Sequence, residues 1–444
     1  MIPYQLLTAV AQSVIGKPPE NVEGVSTDSR ASLHGQLFVP IVGERFDAHD
    51  FLLEAINQGA KASFWQADHP LPEIDEREVT LYIVDDTLTA LQALAKHYRK
   101  TLNAVVIGIT GSNGKTSTKD LIGAVTKERG KTHVTKGNYN NHIGLPLTIL
   151  SAPNDTAYLV LEMGMSNFGE IKQLSEIATP DIAVITNIGE SHIEFLKTRE
   201  GIAEAKLEIL SGLRAEGVLI YDGDEPLLER SYAVKTYAVG FTGEVSHMIS
   251  MDTLTLETTT FLDRSTQHLF TIPMIGQHHA KNAMYAVLVG REIGLTDALI
   301  QQGFNQLEKT GMRFEQEHWH EHLFINDAYN ASPTSMKAAI KLIQSLSDPR
   351  QKVLVLGDMY ELGEKADQYH REVGESIDAP IDYVLTVGQL AKNISDYSHV
   401  EHTHVKTSEE AVHLLKQLDH PSVILFKASR GMRLEQIIQQ LKED

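Results

Sequence analysis

Apolar residues recur along this chain in two distinct patterns. From Val105 onward the runs VVIGIT, YLVLEMG, IAVITNIG and GVLIYDGD each have the length of a strand, and each ends in glycine or polar residues. Unbroken apolar runs with helical patterns between the first of them predict a mostly parallel sheet covered on both faces. Met248 to Ile272 reads differently, because TLTLETTTF and QHLFTIP alternate apolar and polar positions as antiparallel strands do. A helical segment is expected from His279 to about Leu307. After Arg313 a second α/β series follows, HLFIND, VLVLGDM, YVLTVG and VILFKASRG, again with Gly, Asp or Ser at the strand ends, where ligands meet a parallel sheet. Residues 1 to about 100 mix short strands with helices, and the opening MIPYQLLTAVAQSVIG predicts a short amphipathic helix.

The pattern therefore divides the chain into three α/β stretches, 1–100, 101–314 and 315–444, joined by short hinges. The length of 444 residues agrees with this, since domains run to about 100–200 residues each. There are no tandem repeats and no low-complexity linker.

Composition narrows the function classes. No apolar run approaches the ~18 residues of a membrane span, and the N-terminus lacks the basic region of a signal peptide. The chain has no cysteine, which excludes disulfides and cysteine-ligated metals. A cytoplasmic, soluble protein without membrane insertion is expected. The net charge of −20 argues against nucleic-acid binding, which needs a positive footprint. An anionic substrate would have to be held by local devices: backbone amides, a few Lys and Arg side chains, and bound cations.

Such a device is present in TGSNGKTS, Thr110 to Ser117, between the strand VVIGI and the helical run TKDLIGAVTKERG. Gly111 and Gly114 let backbone N–H groups approach phosphate oxygens, and the helix N-terminus adds positive potential. Ser112, Asn113 and Ser117 complete the loop. Lys115 would reach the outer phosphates and Thr116 would place its hydroxyl on magnesium. The loop is a short TGxxGKT type, because Ile109 stands where the common phosphate loop has its first glycine.

Other candidates are weaker when taken singly. Glu162 ends the strand YLVLE, where a carboxylate is costly without a nearby cation; the bland alternative is a strand-end residue facing solvent. His192 in NIGESHIEF is one of 20 histidines, and Lys206 in AEAKLEIL reads by itself as a solvated helix-face lysine.

Taken together, these motifs resemble the Mur ligase family over essentially the whole chain. TGSNGKTS, EMG at Glu162, NIGESH at His192, AKLEI at Lys206, GQHHAKN around Asn282, MRFE at Arg313 and DAYNASP at Asp327 occur in the family's order. GNYNNHIGLPLTIL, NDAYNASPTSM, LGDMYELGE and KASRGMRLE are similar to the branch that adds D-alanyl-D-alanine, while the DYAHTP and DNPR-like motifs of the branch adding the third amino acid are missing. The resemblance implies a UDP-sugar domain, a central ATPase domain and a C-terminal Rossmann-like domain on the D-Ala-D-Ala side, acting as a monomer. It implies ATP and two magnesium ions. Thr116 and Glu162 match the ligands of one ion, and His192 and Lys206 match the surroundings of the other, where the family lysine is often carbamylated. Asn282 matches an adenine contact, Arg313 a phosphate contact and Asp327 a ribose contact; Ser29, Arg30 and His49 match the uridine-nucleotide segments. Two positions depart from the family: His279 stands where an Asn is usual, and Asn326 replaces the first acid before Asp327.

The activity so implied is ATP-dependent ligation of D-Ala-D-Ala to a UDP-N-acetylmuramoyl tripeptide through an acyl phosphate, with Lys115, Arg313, His192 and Lys206 in the catalytic set. The alternatives are another amide-forming ligase of the family, or a nucleotide-dependent switch without ligase activity.

Overall fold

The computed structural model describes residues 1–43, 45–75, 78–308 and 311–443. Three mixed α/β units follow one another along it, each built on its own sheet. No described helix is long and apolar enough to cross a membrane.

The central sheet has nine strands, and the strand Val105–Thr110 runs in its interior, parallel to Tyr158–Glu162 on one side and Ile182–Ile185 on the other. These are the apolar runs of the sequence, and their alternate residues serve two cores. Val106, Leu159, Leu161, Ala183 and Ile185 face one cluster; Ile107, Ile109, Val160, Ile182 and Val184 face the other. Burial on both faces is why these strands read as continuous rather than alternating. The strands His247–Leu254, Thr259–Asp263 and His268–Ile272 pair antiparallel with one another, as their alternation predicts, and the first joins the sheet parallel to Lys235–Gly240. The helical stretch after His279 divides into Gln277–Glu292 and Asp297–Asn305. Gly294, at φ 81°, ends the first, and the side chain of Thr296 caps the second.

The C-terminal sheet has six strands, five of them parallel, with Glu315–Trp319 antiparallel at one edge. The N-terminal sheet has five strands. The expected N-terminal helix is confined to Tyr4–Thr8, because Ser13–Ile15 pairs antiparallel with the strand Thr80–Val84 instead. The β-branched pair Val14–Ile15 before Gly16 suits an edge strand better than a helix.

The N-terminal and central units share one continuous core. Helix Thr87–Thr101 contributes Leu91, Leu94, Ala95 and Tyr98 to the cluster that holds Leu145, Ile149 and Leu174 of the central unit. Its start is fixed by Asp86, which accepts from the Thr89 amide at 2.6 Å. Buried Arg99 donates through Nε to the Ala178 carbonyl at 2.9 Å, and the Tyr98 hydroxyl lies 2.7 Å from the Ala152 carbonyl and 2.6 Å from Asn154 Oδ1. Truncating Tyr98→Phe leaves the buried Ala152 carbonyl without this donor, so it should lower stability by about 1 kcal/mol. The urea midpoint of the N-terminal and central units should fall while the far-ultraviolet spectrum stays constant; an unchanged midpoint would mean that this hydroxyl does not hold the two units together.

Candidate active site at the junction of the central and C-terminal sheets

The phosphate loop leaves the strand Val105–Thr110 at its carboxyl end and enters the helix Lys115–Lys127. Two glycines make that turn possible. Gly111 has φ 148°, and a Cβ there would overlap Thr186 Oγ1. Gly114 has φ 80°, and a Cβ there would lie 2.9 Å from the Asn282 amide nitrogen. Any larger residue would strain the backbone and displace a neighbour.

The loop is tied to the segment after Ile182–Ile185. The Asn113 amide donates to Asn187 Oδ1 at 2.9 Å, Thr186 Oγ1 donates to the Asn113 carbonyl at 2.6 Å, and the Gly189 amide donates to Ser112 Oγ at 2.8 Å. Thr116 Oγ1 donates to Glu162 Oε2 at 2.8 Å, and Asn140 Nδ2 donates to Glu162 Oε1 at 2.8 Å. Glu162 is only 3% exposed, so the solvent-facing reading of this residue does not hold. A buried carboxylate beside a hydroxyl at the mouth of a phosphate loop is a hard-oxygen donor set suited to magnesium. Lys115 is held by the carbonyls of Gly111 at 2.8 Å and Ser112 at 3.5 Å. Burial pushes the Lys115 ammonium below its ordinary range, with Glu162 opposing and Arg313 adding to the effect.

Facing this loop is the C-terminal unit. Residues of both units line one cleft of about 960 Å3, among them Ser112 to Ser117, Glu162, His192, Asn282, Arg313 and Asp327. Arg313 sits between two residues with left-handed backbones, Met312 at φ 57° and Phe314 at φ 51°. Its guanidinium lies 4.2 Å from the Tyr329 ring centre, and its buried Nε has no hydrogen-bond partner among the described residues. A stacked guanidinium with donors to spare is preorganised for an anion. Asp327 accepts from Lys427 Nζ at 2.5 Å; burial raises its carboxyl, and Lys427 and Arg313 oppose the rise. The rings of His278 and His279 lie 4.1 Å apart, tilted at 45° to each other, beside Phe314 in the cleft wall. Burial, with Lys427 near, pushes His278 down to about 4. Asn326 has taken on a structural task, accepting from the Ala328 amide at 3.2 Å.

Lys206 corrects the simplest sequence reading. It lies in helix Arg199–Leu207 and is 1% exposed, not solvated. It makes no hydrogen bond or ion pair among the described residues, and burial together with the nearby Lys115 drives its ammonium well below the ordinary lysine range. Uncompensated burial of a cation is expensive, and this burial favours the neutral amine over the ammonium.

Ser29, Arg30 and His49 lie in the N-terminal unit, and none of them lines the cleft. Ser29 donates to Glu54 Oε2 at 2.6 Å, and exposed Arg30 pairs with Asp28 at 2.9 Å. His49 is buried against Trp65 and stacks on His69 with ring centres 4.1 Å apart. Asp47 contacts both imidazoles at 2.7 Å. Burial pushes the Asp47 carboxyl up, but the contacts from His69 and His49 outweigh it and bring it down to about 2.

Sequence reasoning assigned no role to Asn140, Lys427 or Glu361, although each lies inside a motif quoted for the resemblance. The structure gives each a partner: Glu162, Asp327 and His192 respectively.

Family models match a segment of each of the three units. The one described as the Mur ligase family, catalytic domain, matches residues 21–99; the Mur ligase middle domain matches 109–290; and the Mur ligase glutamate ligase domain matches 312–430. A UDP-N-acetylmuramoyl-tripeptide–D-alanyl-D-alanine ligase of Bacillus subtilis is 47% identical over 95% of this chain and 93% of its own. The crystal structure of MurF from Acinetobacter baumannii superposes with a TM-score of 0.90 at 29% identity, covering 100% of this chain and 99% of that one. MurF ligase from Thermotoga maritima in complex with ADP gives a TM-score of 0.84 at 29% identity, over 95% and 97% of the two chains. Resembling these proteins along its full length and in all three units, the chain belongs to the Mur ligase family.

Proposed function

We propose that this chain joins D-alanyl-D-alanine to the terminal carboxyl of a UDP-N-acetylmuramoyl tripeptide, cleaving ATP to ADP and phosphate and so forming the UDP-linked pentapeptide of peptidoglycan synthesis. The observation that carries this reading is the pairing of a phosphate loop with Arg313 and Asp327 across one cleft, in a chain 47% identical to a ligase of that name. Residues 1–100 are assigned to the UDP-sugar end through Ser29, Arg30 and His49. Residues 101–314 are assigned to ATP and the chemistry, and 315–444 to the D-Ala-D-Ala side. A reaction that consumes ATP belongs in the cytoplasm.

The tripeptide carboxylate attacks the γ-phosphorus, and the bond to the β,γ-bridging oxygen breaks. Phosphoryl transfer asks the protein for alignment and charge neutralisation more than for covalent chemistry. Lys115 and Arg313 approach from opposite walls and bind the phosphate oxygens. Asn282, packed against Gly114, is assigned to the adenine, and Asp327, held by Lys427, to the ribose. Thr116 and Glu162 would hold one magnesium ion, and His192 with Lys206 a second; such ions neutralise charge building on the phosphoryl oxygens. The amine of D-Ala-D-Ala then attacks the acyl phosphate carbonyl, loses a proton, and expels phosphate. Because acyl phosphates hydrolyse, the cleft must close over them before the amine arrives.

Lys206 as it stands offers no anionic oxygen to a cation. A buried neutral amine is, however, the form that reacts with carbon dioxide, and the resulting carbamate exchanges a potential +1 group for a −1 ligand. We assign Lys206 this modification on the strength of its burial and its lack of a partner.

Two measurements test the reading. Phosphate release should require the UDP-linked tripeptide and D-Ala-D-Ala together; ATP hydrolysis at the same rate without either would indicate a switch and not a ligase. Under 13C-labelled bicarbonate, the active protein should show a carbamate carbon resonance that disappears in Lys206→Ala, with turnover reduced by about 100-fold. An active protein without that resonance would leave Lys206 unmodified and its assignment wrong.

A further inference from the structure

Three residues of the segment that follows Ile182–Ile185, a loop and the short helix Ile193–Leu196, reach across to the C-terminal unit. Glu190 accepts from the Thr334 amide at 3.1 Å and from its hydroxyl at 2.7 and 2.9 Å. The Glu194 amide donates to the Glu361 carbonyl at 3.3 Å. Between them, His192 Nδ1 lies 2.5 Å from Glu361 Oε2. The N–H of the ring is not aimed along this contact, but rotation about the outer bond of a histidine side chain is soft, and a small turn completes the hydrogen bond.

Both residues of this pair are held in an unfavourable backbone. His192 has φ 67° and Glu361 has φ 61°. Neither is glycine, and a left-handed conformation of this kind costs of order 1 kcal/mol at each site. Such strain persists where the surroundings over-determine it, and here it brings one side chain from each unit into contact. The two residues also differ in what they face. His192 lines the cleft with the phosphate loop, whereas Glu361 lines a separate cavity with Tyr360 and Leu362.

The chemistry of imidazole gives this contact a consequence. When Nδ1 donates its proton to a carboxylate, Nε2 keeps its lone pair, and the ring is fixed in orientation. That is the arrangement in which histidine serves as a ligand. We infer that Glu361 is a positioning residue for His192, and that it acts only when the C-terminal unit is docked. The second cation position is then completed by domain closure, so that it becomes competent once the cleft is covered. This inference rests on the assignment of His192 to that position in the function proposed above. Glu361 itself touches no substrate.

The test uses the full-length protein in two assays: Mn2+ binding with a non-hydrolysable ATP analogue and the UDP-linked tripeptide, and turnover with ATP, the tripeptide and D-Ala-D-Ala. Glu361→Ala should weaken Mn2+ at one of the two positions about 10-fold and lower kcat by a similar factor, with KM for ATP and for the tripeptide nearly unchanged. Glu361→Gln, whose amide oxygen accepts from Nδ1, should recover most of both losses. Glu361→Gly removes the side chain and relieves the left-handed strain, so it gives the same readout should the alanine variant fold poorly. Mn2+ affinity and kcat at parental values in Glu361→Gly would overturn the inference. So would losses that Glu361→Gln does not recover, because the pair would then matter only as charge or packing. Absence of ligation by the unaltered protein would instead defeat the proposed function, and is read in the turnover assay.

Discussion

The constraint on which this structure depends is that a phosphate loop and its carboxylate partner sit, largely out of water, at the carboxyl edge of a buried parallel sheet. Thr116 and Glu162 meet there only because Val105–Thr110 and Tyr158–Glu162 are adjacent and in register, with Glu162 opposite Ile109. Asn140 and Thr135 fix the Glu162 side chain and amide, and the segment Thr186–Gly189 fixes the loop. Buried polar groups of this kind are costly unless each has a partner. The groups left without one are therefore informative. Two of them beside the phosphate loop are the amine of Lys206 and Nε of Arg313, and both are assigned to hold something that arrives from outside.

The two flanking units are attached to this centre by different physics. The N-terminal unit shares a continuous apolar core with the central one through Thr87–Thr101, and separating them would expose that surface to water. The C-terminal unit joins through a smaller apolar contact, Ile275, Ile193, Leu254 and Leu256 on its own core, and through polar bridges such as Ser332 to Asn113 and Thr334 to Glu190. A junction of this second kind can open and re-form at modest cost. It is also where Arg313 and Asp327 face the phosphate loop. The proposed function makes use of this asymmetry: the N-terminal end is assigned to the long UDP-linked substrate, and the other to ATP and dipeptide, whose reaction must be kept from water.

Much of this was legible in the sequence because the physics involved is local. The central strands announce themselves by apolar runs, the phosphate loop by its glycines and lysine, and the antiparallel extension by its alternation. What was not legible depends on packing between distant segments. Thr132–Val134, Glu315–Trp319 and Glu401–Val405 are edge strands, half exposed and polar, with no apolar run to mark them. Lys206 reads as solvated because a helix pattern cannot say how many neighbours close over it; Ile202, Ala203, Ala205 and Leu207 are buried around it. Glu361 carries no local signal at all, since its meaning comes from a histidine of another unit. The order of the family motifs conveyed the cleft as a set, but not the pairings within it, such as Lys427 with Asp327.

In the proposed reaction this junction shelters an acyl phosphate formed on the tripeptide carboxyl. The most direct measurement follows oxygen. A UDP-linked tripeptide carrying 18O in its terminal carboxyl is turned over with ATP and D-Ala-D-Ala, and the released phosphate is analysed by mass. Each amide formed should send one carboxyl oxygen into phosphate. Unlabelled phosphate, with amide formed at the usual rate, would contradict it.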